Sequence, residues 1–408
     1  ALSFQFFNRT RQNVLANPFA RIKVVDPRSA RLTLLLVQYL RTETEGPLFE
    51  RMRARLAGIA SQSGMTEVFR LRGADVYRVL QVETIPGETL RLPPAMSRLP
   101  GLRAAVGAFD DPPDLDTLLD RLMRHLRDDL GLRHALLLLL DADTRRLTTV
   151  ASIGYERSGL GAEVSVGQGV IGIAAQVGTP IRISHALVGQ TYAQKVRAEA
   201  GETEPLPEIA FPGLPRPGSQ LAAPVRIGGA VTGVLYVEHP EEGRIGYEDE
   251  DALVVLATLL GQALSLLHER EAAEAGAGGE SGVEVPALSP TATGSASPVQ
   301  VRLHARLHTV FVDGRYLIKG VAGALLWHML RAWQDTGQTL FYSRELRCQR
   351  DLPLPEVTDN LAARLILLQR RLEEQPSGIG LQKAGRGMVR LVVERPLRLT
   401  GPDDAPAG

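Results

Sequence analysis

Residues 164–181 read VSVGQGVIGIAAQVGTPI, and this stretch decides how the middle of the chain folds. Two glycines, Gly167 and Gly169, mark a turn, and the apolar residues that follow them have the spacing of a short helix. Gly178 and Pro180 then interrupt the apolar run. The pattern predicts a tight turn into a short helix, followed at once by a strand.

Strands are predicted on both sides of this stretch. Before it, residues 133–141 and 147–152 form two apolar runs joined by a polar turn, which is typical of an antiparallel hairpin. After it, residues 219–227 and 231–238 are joined at a Gly-Gly pair, a strong hairpin signal. Because a helical pattern also begins at Leu115, the middle of the chain is predicted to be an antiparallel sheet with helices behind it.

These segments resemble a GAF domain. The family's G-x-G-[VIL]-x-G-x-[AV] segment is present at residues 167–174, its strand pair at residues 219–238, and its acidic helix start at residues 247–251. The resemblance implies a sensory domain over residues 111–271, with a PAS-like antiparallel sheet and a pocket that takes small molecules, cyclic nucleotides or chromophores. The pocket residues that we assign on this basis are Ile171, Ile183, His185 and Tyr236.

The ligand of this pocket stays open, and the cofactor is unknown. The Asn-Lys…Phe…Asp-Glu pattern of cyclic-nucleotide-binding GAF domains is not found, and bilin attachment needs a pocket cysteine that the chain lacks. His185 has the chemistry to ligate haem iron, although a lone histidine in a loop is usually a polar surface residue. The alternatives are a small-molecule sensor and a degenerate pocket that serves only as a dimerisation scaffold.

A long helix is predicted from Asp249 to about Glu271, with leucines along one side. That stripe by itself indicates core packing. In GAF domains, which this region resembles, the first and last helices commonly pair with those of a second subunit. The resemblance therefore implies a homodimer formed through these two helices. The stretch that follows, residues 272–300, is rich in Ala, Gly, Ser and Pro and is predicted to be a flexible linker.

Residues 301–399 have the pattern of a strand, three helices and a hairpin, in that order. Together with the segments 369–378 and 383–391, this order resembles the winged helix of OmpR-type response regulators. The resemblance implies that the helix over residues 360–372 enters the DNA major groove and that the hairpin reaches phosphate or the minor groove. The implied DNA-binding residues are Asn360, Arg364, Arg370, Arg371, Lys383 and Arg386.

Charge and polarity point to different partners for this region. Residues 301–400 hold 16 Lys/Arg against 9 Asp/Glu, whereas the whole chain has 46 of each, and such a bias is compatible with nucleic-acid binding. The predicted recognition helix nevertheless carries Leu361, Ala362, Ala363, Ile366 and Leu367, and apolar side chains cannot hydrogen-bond to base edges. Double-stranded DNA and a protein partner both stay open.

The N-terminal region, residues 1–110, is predicted to contain a strand, a helix and a hairpin over residues 66–82 that turns at residues 72–74. It faintly resembles a GGDEF domain. That family needs a Gly-Gly pair and two adjacent carboxylates to hold nucleotide and Mg²⁺, and here only Gly73 and Asp75 remain. We expect no catalysis; the alternatives are a degenerate interaction domain and an unrelated small αβ domain.

Composition limits the class of protein. A chain of 408 residues is too long for one core, and its 44% hydrophobic and 23% charged content is globular. The single Cys348 excludes an internal disulfide and a multi-cysteine zinc site. No apolar stretch approaches the roughly 20 residues that cross a bilayer, and no secretion signal is recognisable. We therefore expect a cytoplasmic protein without a membrane partner.

The predicted fold class is mixed α/β (α+β) in several domains: residues 1–110, 111–271 and 301–399, with a linker at 272–300 and a disordered tail at 400–408. The chain shows no Ser/His/Asp arrangement, no metal-ligand cluster and no Walker phosphate loop, so we expect no enzyme. The leading hypothesis is a one-component regulator with a GAF sensor and a DNA-binding output. The alternative is an adaptor or structural protein whose domains bind other proteins.

Overall fold

Three parts, each with its own sheet, follow one another along the chain. The computed structural model describes residues 2–4, 9–26, 29–62, 71–89, 97–141, 144–184, 209–277, 297–304, 306–349, 352, 361–385 and 387–401.

The central part is a six-stranded antiparallel sheet in the order β7-β6-β5-β10-β9-β8. Gly228 and Gly229 turn between its last two strands with φ values of 57° and 86°, as a tight hairpin turn requires. The predicted antiparallel sheet is therefore confirmed. Its elements are β5 (His134–Asp141), β6 (Arg146–Ile153), β7 (Glu163–Ser165), α5 (Gly169–Val177), β8 (Ile181–Ile183), β9 (Ser219–Ile227) and β10 (Ala230–His239).

Alternation along the strands gives this sheet two apolar sides. Leu137 and Leu235 face α4 (Leu115–Asp128) and α6 (Tyr247–Ala277), whereas Leu136 and Tyr236 face α5 on the opposite side. Helix α4 begins at Asp114, whose carboxylate accepts a hydrogen bond from the Thr117 N–H at 2.7 Å. The helices on the first side complete the main core of the central part.

Helix α6 departs from the sequence-based expectations in two ways. Its segment Tyr247–Arg270 is long and apolar enough to cross a membrane, so the expectation that no stretch reaches that length is wrong. Leu253, Leu256 and Leu260 of this segment are fully buried in the central core, which is the behaviour of a core helix. The helix also continues to Ala277, past the residue where the flexible linker was predicted to start.

A further helix, α3 (Leu99–Val106), packs against both α4 and α6. Ala105 belongs to the central core, and a Cβ on Gly101 would lie 2.3 Å from the carbonyl oxygen of Asp129. The chain before residue 111 therefore contributes to the helical layer of the central part, and α3 covers part of the surface through which a homodimer was predicted.

The N-terminal part is a four-stranded sheet in the order β1-β4-β3-β2. Its predicted hairpin turn at residues 72–74 is not formed, because Gly73 begins one long strand that pairs with β1 and then along the length of β3. Residues 63–70, the first half of that hairpin, lie outside the described residues. The elements are β1 (Leu2–Phe4), α1 (Arg9–Ala16), β2 (Phe19–Val25), β3 (Leu32–Glu43), α2 (Pro47–Gln62) and β4 (Gly73–Ile85).

The C-terminal part has two small sheets, in the orders β13-β12-β11-β17 and β14-β16-β15. Its helices and its last hairpin follow the predicted order, but the first predicted strand is two antiparallel strands, because Leu307 and His308 reverse the chain with φ values of 68° and 47°. The elements are β11 (Val299–His304), β12 (Thr309–Val312), β13 (Arg315–Ile318), α7 (Gly320–Thr336), β14 (Leu340–Tyr342), α8 (Ser343–Cys348), α9 (Leu361–Glu374), β15 (Ile379–Gly385), β16 (Met388–Val393) and β17 (Leu397–Thr400).

Candidate functional site

The side of the central sheet that faces α5 brings the predicted pocket residues together. Ile171, Ile183 and Tyr236 are all buried in one apolar cluster on this side, while His185 lies outside the described residues. The cluster also receives Ala54 from α2, so the N-terminal part closes over the pocket side of the sheet. The three pocket residues lie on separate elements of the chain, and they meet because the alternation of β10 places Tyr236 on the side of the sheet that α5 covers.

Further contacts of α2 with β8 and α5 hold the N-terminal part against this side of the central sheet. A Cβ on Gly58 would come within 2.5 Å of the Ile181 side chain, which shows how closely the helix approaches β8. The hydroxyl of Ser61 accepts a hydrogen bond from the Gly169 N–H at 2.7 Å, and so supplies a partner for the first turn of α5. The pocket side therefore depends on the N-terminal part as well as on the central part.

A buried carboxylate stands beside the apolar cluster. Glu238 accepts hydrogen bonds from the Tyr236 hydroxyl at 2.8 Å and from the Leu214 N–H at 2.7 Å, and the Gln220 amide donates to the Tyr236 oxygen at 2.6 Å. Sequence reasoning missed Glu238, although an acidic residue two positions after Tyr236 on a buried strand was a usable signal. Burial and the charge of Glu238 raise the pKa of the Tyr236 hydroxyl well above its ordinary value.

Two polar atoms of the neighbouring strands β5 and β6, His134 Nδ1 and Ser152 Oγ, lack hydrogen-bond partners within the described part of the chain, and the Tyr155 hydroxyl lies beside Glu238. The rings of His134 and Tyr155 lie 5.5 Å apart. These groups can donate or accept hydrogen bonds to a small polar molecule. Among the described residues no group of three His, Cys, Asp or Glu side chains is arranged to hold a metal ion.

The second candidate site is the junction of the central and C-terminal parts, and α9 lies at its centre. Ala363 belongs to the central core, with Ala362 and Ile366 packed against it. On the other side of the helix, Leu365 and Leu368 are buried in the C-terminal core. The apolar residues of the predicted recognition helix are therefore accounted for by burial on both sides.

Three of the predicted DNA-binding cations form ion pairs across this junction. The Arg370 guanidinium donates to Asp116 at 2.6 Å and to Asp120 at 2.7 Å. Arg364 donates to Asp141 at 3.4 Å, and the Lys383 ammonium donates to the Asp114 carboxylate. The basic groups that were expected to bind phosphate are thus already paired with carboxylates at the start of α4 and at the end of β5.

The remaining predicted DNA-binding residues are placed differently. Arg371 points into the C-terminal part, where it donates to the Leu317 carbonyl at 3.1 Å and to Glu374 at 2.7 Å. Asn360 and Arg386 lie outside the described residues. Sequence reasoning missed the four aspartates that pair with these cations, although the i,i+4 spacing of Asp116 and Asp120 on α4 placed two of them on one helix face.

The antiparallel sheet carries α4 and α6 on one side and α5 and α2 on the other. Residues 114–264 match the family model of the GAF domain. The central part is therefore a GAF domain, and the match covers no residue of the N-terminal or C-terminal part. No curated protein sequence matches this chain.

Solved structures similar to this chain include two GAF domains and an enzyme. The GAF domain of an Acinetobacter phosphoenolpyruvate-protein phosphotransferase is 22% identical, with 42% of this chain and 95% of that chain covered and a TM-score of 0.35. Free methionine-R-sulfoxide reductase from Neisseria meningitidis is 16% identical, with 42% and 91% covered and a TM-score of 0.34. The GAF domain of A. aeolicus Nlh2 in an inactive state is 21% identical, with 41% and 96% covered and a TM-score of 0.31.

Proposed function

We propose that the protein is a non-catalytic, signal-responsive regulator in which the GAF domain receives the signal and the C-terminal part is a winged-helix, DNA-binding output. The observation that carries this proposal is the position of α9, whose opposite sides belong to the GAF core and to the C-terminal core. Because packed cores do not deform continuously, a change in the GAF helices has to move α9 or release it.

The arrangement with α9 against α4 is called here the docked state, and it is the inactive state of the proposed regulator. Arg364, Arg370 and Lys383 cannot bind phosphate while they pair with carboxylates of the GAF domain. DNA binding then requires that these ion pairs open. The apolar contact is small enough for this, since α9 contributes one fully buried residue, Ala363, to the GAF core.

Binding to mixed DNA fragments at low and moderate salt tests the proposal. The double variant Asp116→Asn/Asp120→Asn frees Arg370, so we expect it to bind DNA about tenfold more tightly than the wild-type chain, with a strong salt dependence. Asp128→Asn on the same helix is the matched control, because Asp128 pairs with its exposed neighbour Arg127. Absence of binding by every variant at low salt would overturn the DNA-binding output.

A second candidate function, an adaptor that binds proteins through the same parts, is favoured by the position of α9 between two cores, with Ala363 buried on one side and Leu365 and Leu368 on the other. In that case docking is permanent and holds the two parts in one geometry. The adaptor is supported if Asp116→Asn/Asp120→Asn leaves the amides of α9 equally protected from hydrogen exchange and confers no salt-sensitive DNA binding.

A further inference from the structure

A cavity of about 140 Å³ lies where the GAF domain and the C-terminal part meet. Five elements wall it: the start of α4, the last turns of α6, the start of α8, one side of α9 and the β15–β16 hairpin. The apolar side chains that form most of its surface are Leu115, Leu267, Ala362, Ile366, Met388 and Val389. Neither part forms this cavity by itself.

The charged groups at its rim already have partners. Lys383 pairs with Asp114, and Asp116 pairs with Arg370 of the neighbouring turn of α9. Arg270 donates to Asp111 at 2.9 Å. Every charged residue that lines the described part of the cavity is thus neutralised, and an ionic ligand would have to break one of these pairs to bind. The lining therefore fits a neutral molecule with a largely apolar surface.

The size of the cavity further limits the class of ligand that it can bind. Its volume is close to the about 150 Å³ of an enclosed apolar cavity that takes up benzene, and this cavity also opens to solvent on one side, which gives a ligand a route of entry. The cavity on the other side of α9 is smaller, about 80 Å³, and its walls include Asp141, Glu163, Lys319 and Arg364. Between these two cavities, ion pairs and a narrow apolar contact hold α9 in place. Of the two, the larger cavity has the mainly apolar lining that suits such a ligand.

We propose that this cavity is a binding site for a neutral, mainly apolar small molecule of one or two rings, and that its ligand holds the protein in the docked state. The site exists only while both parts are together, so a molecule that fills it binds the docked state and stabilises it by mass action. The effect on output rests on the proposed function, whereas binding itself does not.

Fluorobenzene and indole are suitable probes, with binding followed by ¹⁹F NMR and calorimetry on the full chain. We expect saturable binding and a higher unfolding temperature in its presence. Ala362→Phe fills the cavity from α9 and should weaken binding at least about tenfold. Met388→Ala enlarges the cavity, so it should retain binding of both probes. Val255→Phe on the exposed side of α6 is the matched control and should bind like wild type.

Leu267→Phe fills the same cavity from the opposite wall. It serves as a second test because Ala362→Phe, which lies on α9, could also disturb docking. The proposal is overturned if the wild-type chain shows no saturable binding up to the solubility of the probes, or if both filling variants bind as well as wild type. Probe binding without any DNA binding would sink the DNA-binding output but leave this site intact, whereas DNA binding without probe binding would do the reverse.

Discussion

The guanidinium of Arg370 on α9 lies 2.6 Å from the carboxylate of Asp116 on α4, across 254 positions of sequence and between two different parts of the fold. The same guanidinium reaches Asp120 and the Val150 carbonyl. Arg370, which was predicted to bind DNA from its place on a helix, is thus the centre of an intramolecular contact. Variants that weaken the docked state therefore give the most direct test of the proposed function.

The Arg370–Asp116 pair should couple the two parts measurably. In a double-mutant cycle with Arg370→Ala and Asp116→Ala, we expect a coupling of about 0.5–1 kcal/mol in the free energy of unfolding, because the Asp116 carboxylate is 40% exposed and water screens the pair. Urea denaturation of the four proteins measures it. The cycle of Arg127 with Asp128, an exposed pair on the same helix, is the control and should give a smaller value.

Packing of α3 on the GAF helices predicts that Gly101→Ala destabilises the protein by about 1–3 kcal/mol, because the new Cβ would lie 2.3 Å from the Asp129 carbonyl oxygen. Gly107→Ala at the end of the same helix is the matched control. Nothing lies within 4 Å of a Cβ there, so its effect should stay within about 0.5 kcal/mol. Equal melting temperatures for both variants would show that α3 does not pack on the GAF domain as described.

Alkaline pH should weaken the fold through Tyr155. Burial, and then the charge of Glu238, raise the pKa of its hydroxyl above the ordinary value of 10.0. The unfolded chain therefore loses this proton at a lower pH than the folded chain. The contribution is fully present below pH 10 and is lost as pH rises above it, with a slope of up to about 1.4 kcal/mol per pH unit.

Tyr155→Phe removes that titration together with the interaction between the hydroxyl and Glu238. Urea unfolding between pH 8 and pH 11 should give a shallower decline for this variant than for wild type. A decline of unchanged slope would mean that the hydroxyl titrates alike in the folded and unfolded chains.

Self-association through the GAF helices has to use the surface that α3 and α9 leave open. Val255 and Leu266 of α6 are 41% and 56% exposed and are the large apolar residues available there. We expect a dimer in sedimentation equilibrium that Leu266→Glu dissociates, since a charge in the contact costs several kcal/mol. Leu15→Glu, at an exposed position of α1, is the control and should leave the dimer intact.

Local sequence pattern predicted the structure correctly where a short segment determines its own conformation. The Gly-Gly pair at 228–229 requires positive φ and so specifies a hairpin, and the alternation on β10 places Tyr236 on the pocket side whatever lies across from it. The same kind of signal failed at residues 72–74. Gly73 and Ala74 of that triplet belong to a long strand, because eleven residues of β3 pair with it and the backbone hydrogen bonds outweigh a weak local preference.

The sequence by itself determined the GAF sheet, the helices that flank it and the order of the helices and the last hairpin in the C-terminal part, because each depends on periodicity and turn chemistry within a few residues. Only the tertiary structure decided what α9 contacts. Its apolar residues and its arginines were compatible with DNA, a protein or another part of this chain, and the choice depended on Asp114, Asp116, Asp120 and Asp141 lying opposite them. Contacts between residues more than 200 positions apart are set by how whole domains pack, and no local pattern encodes that.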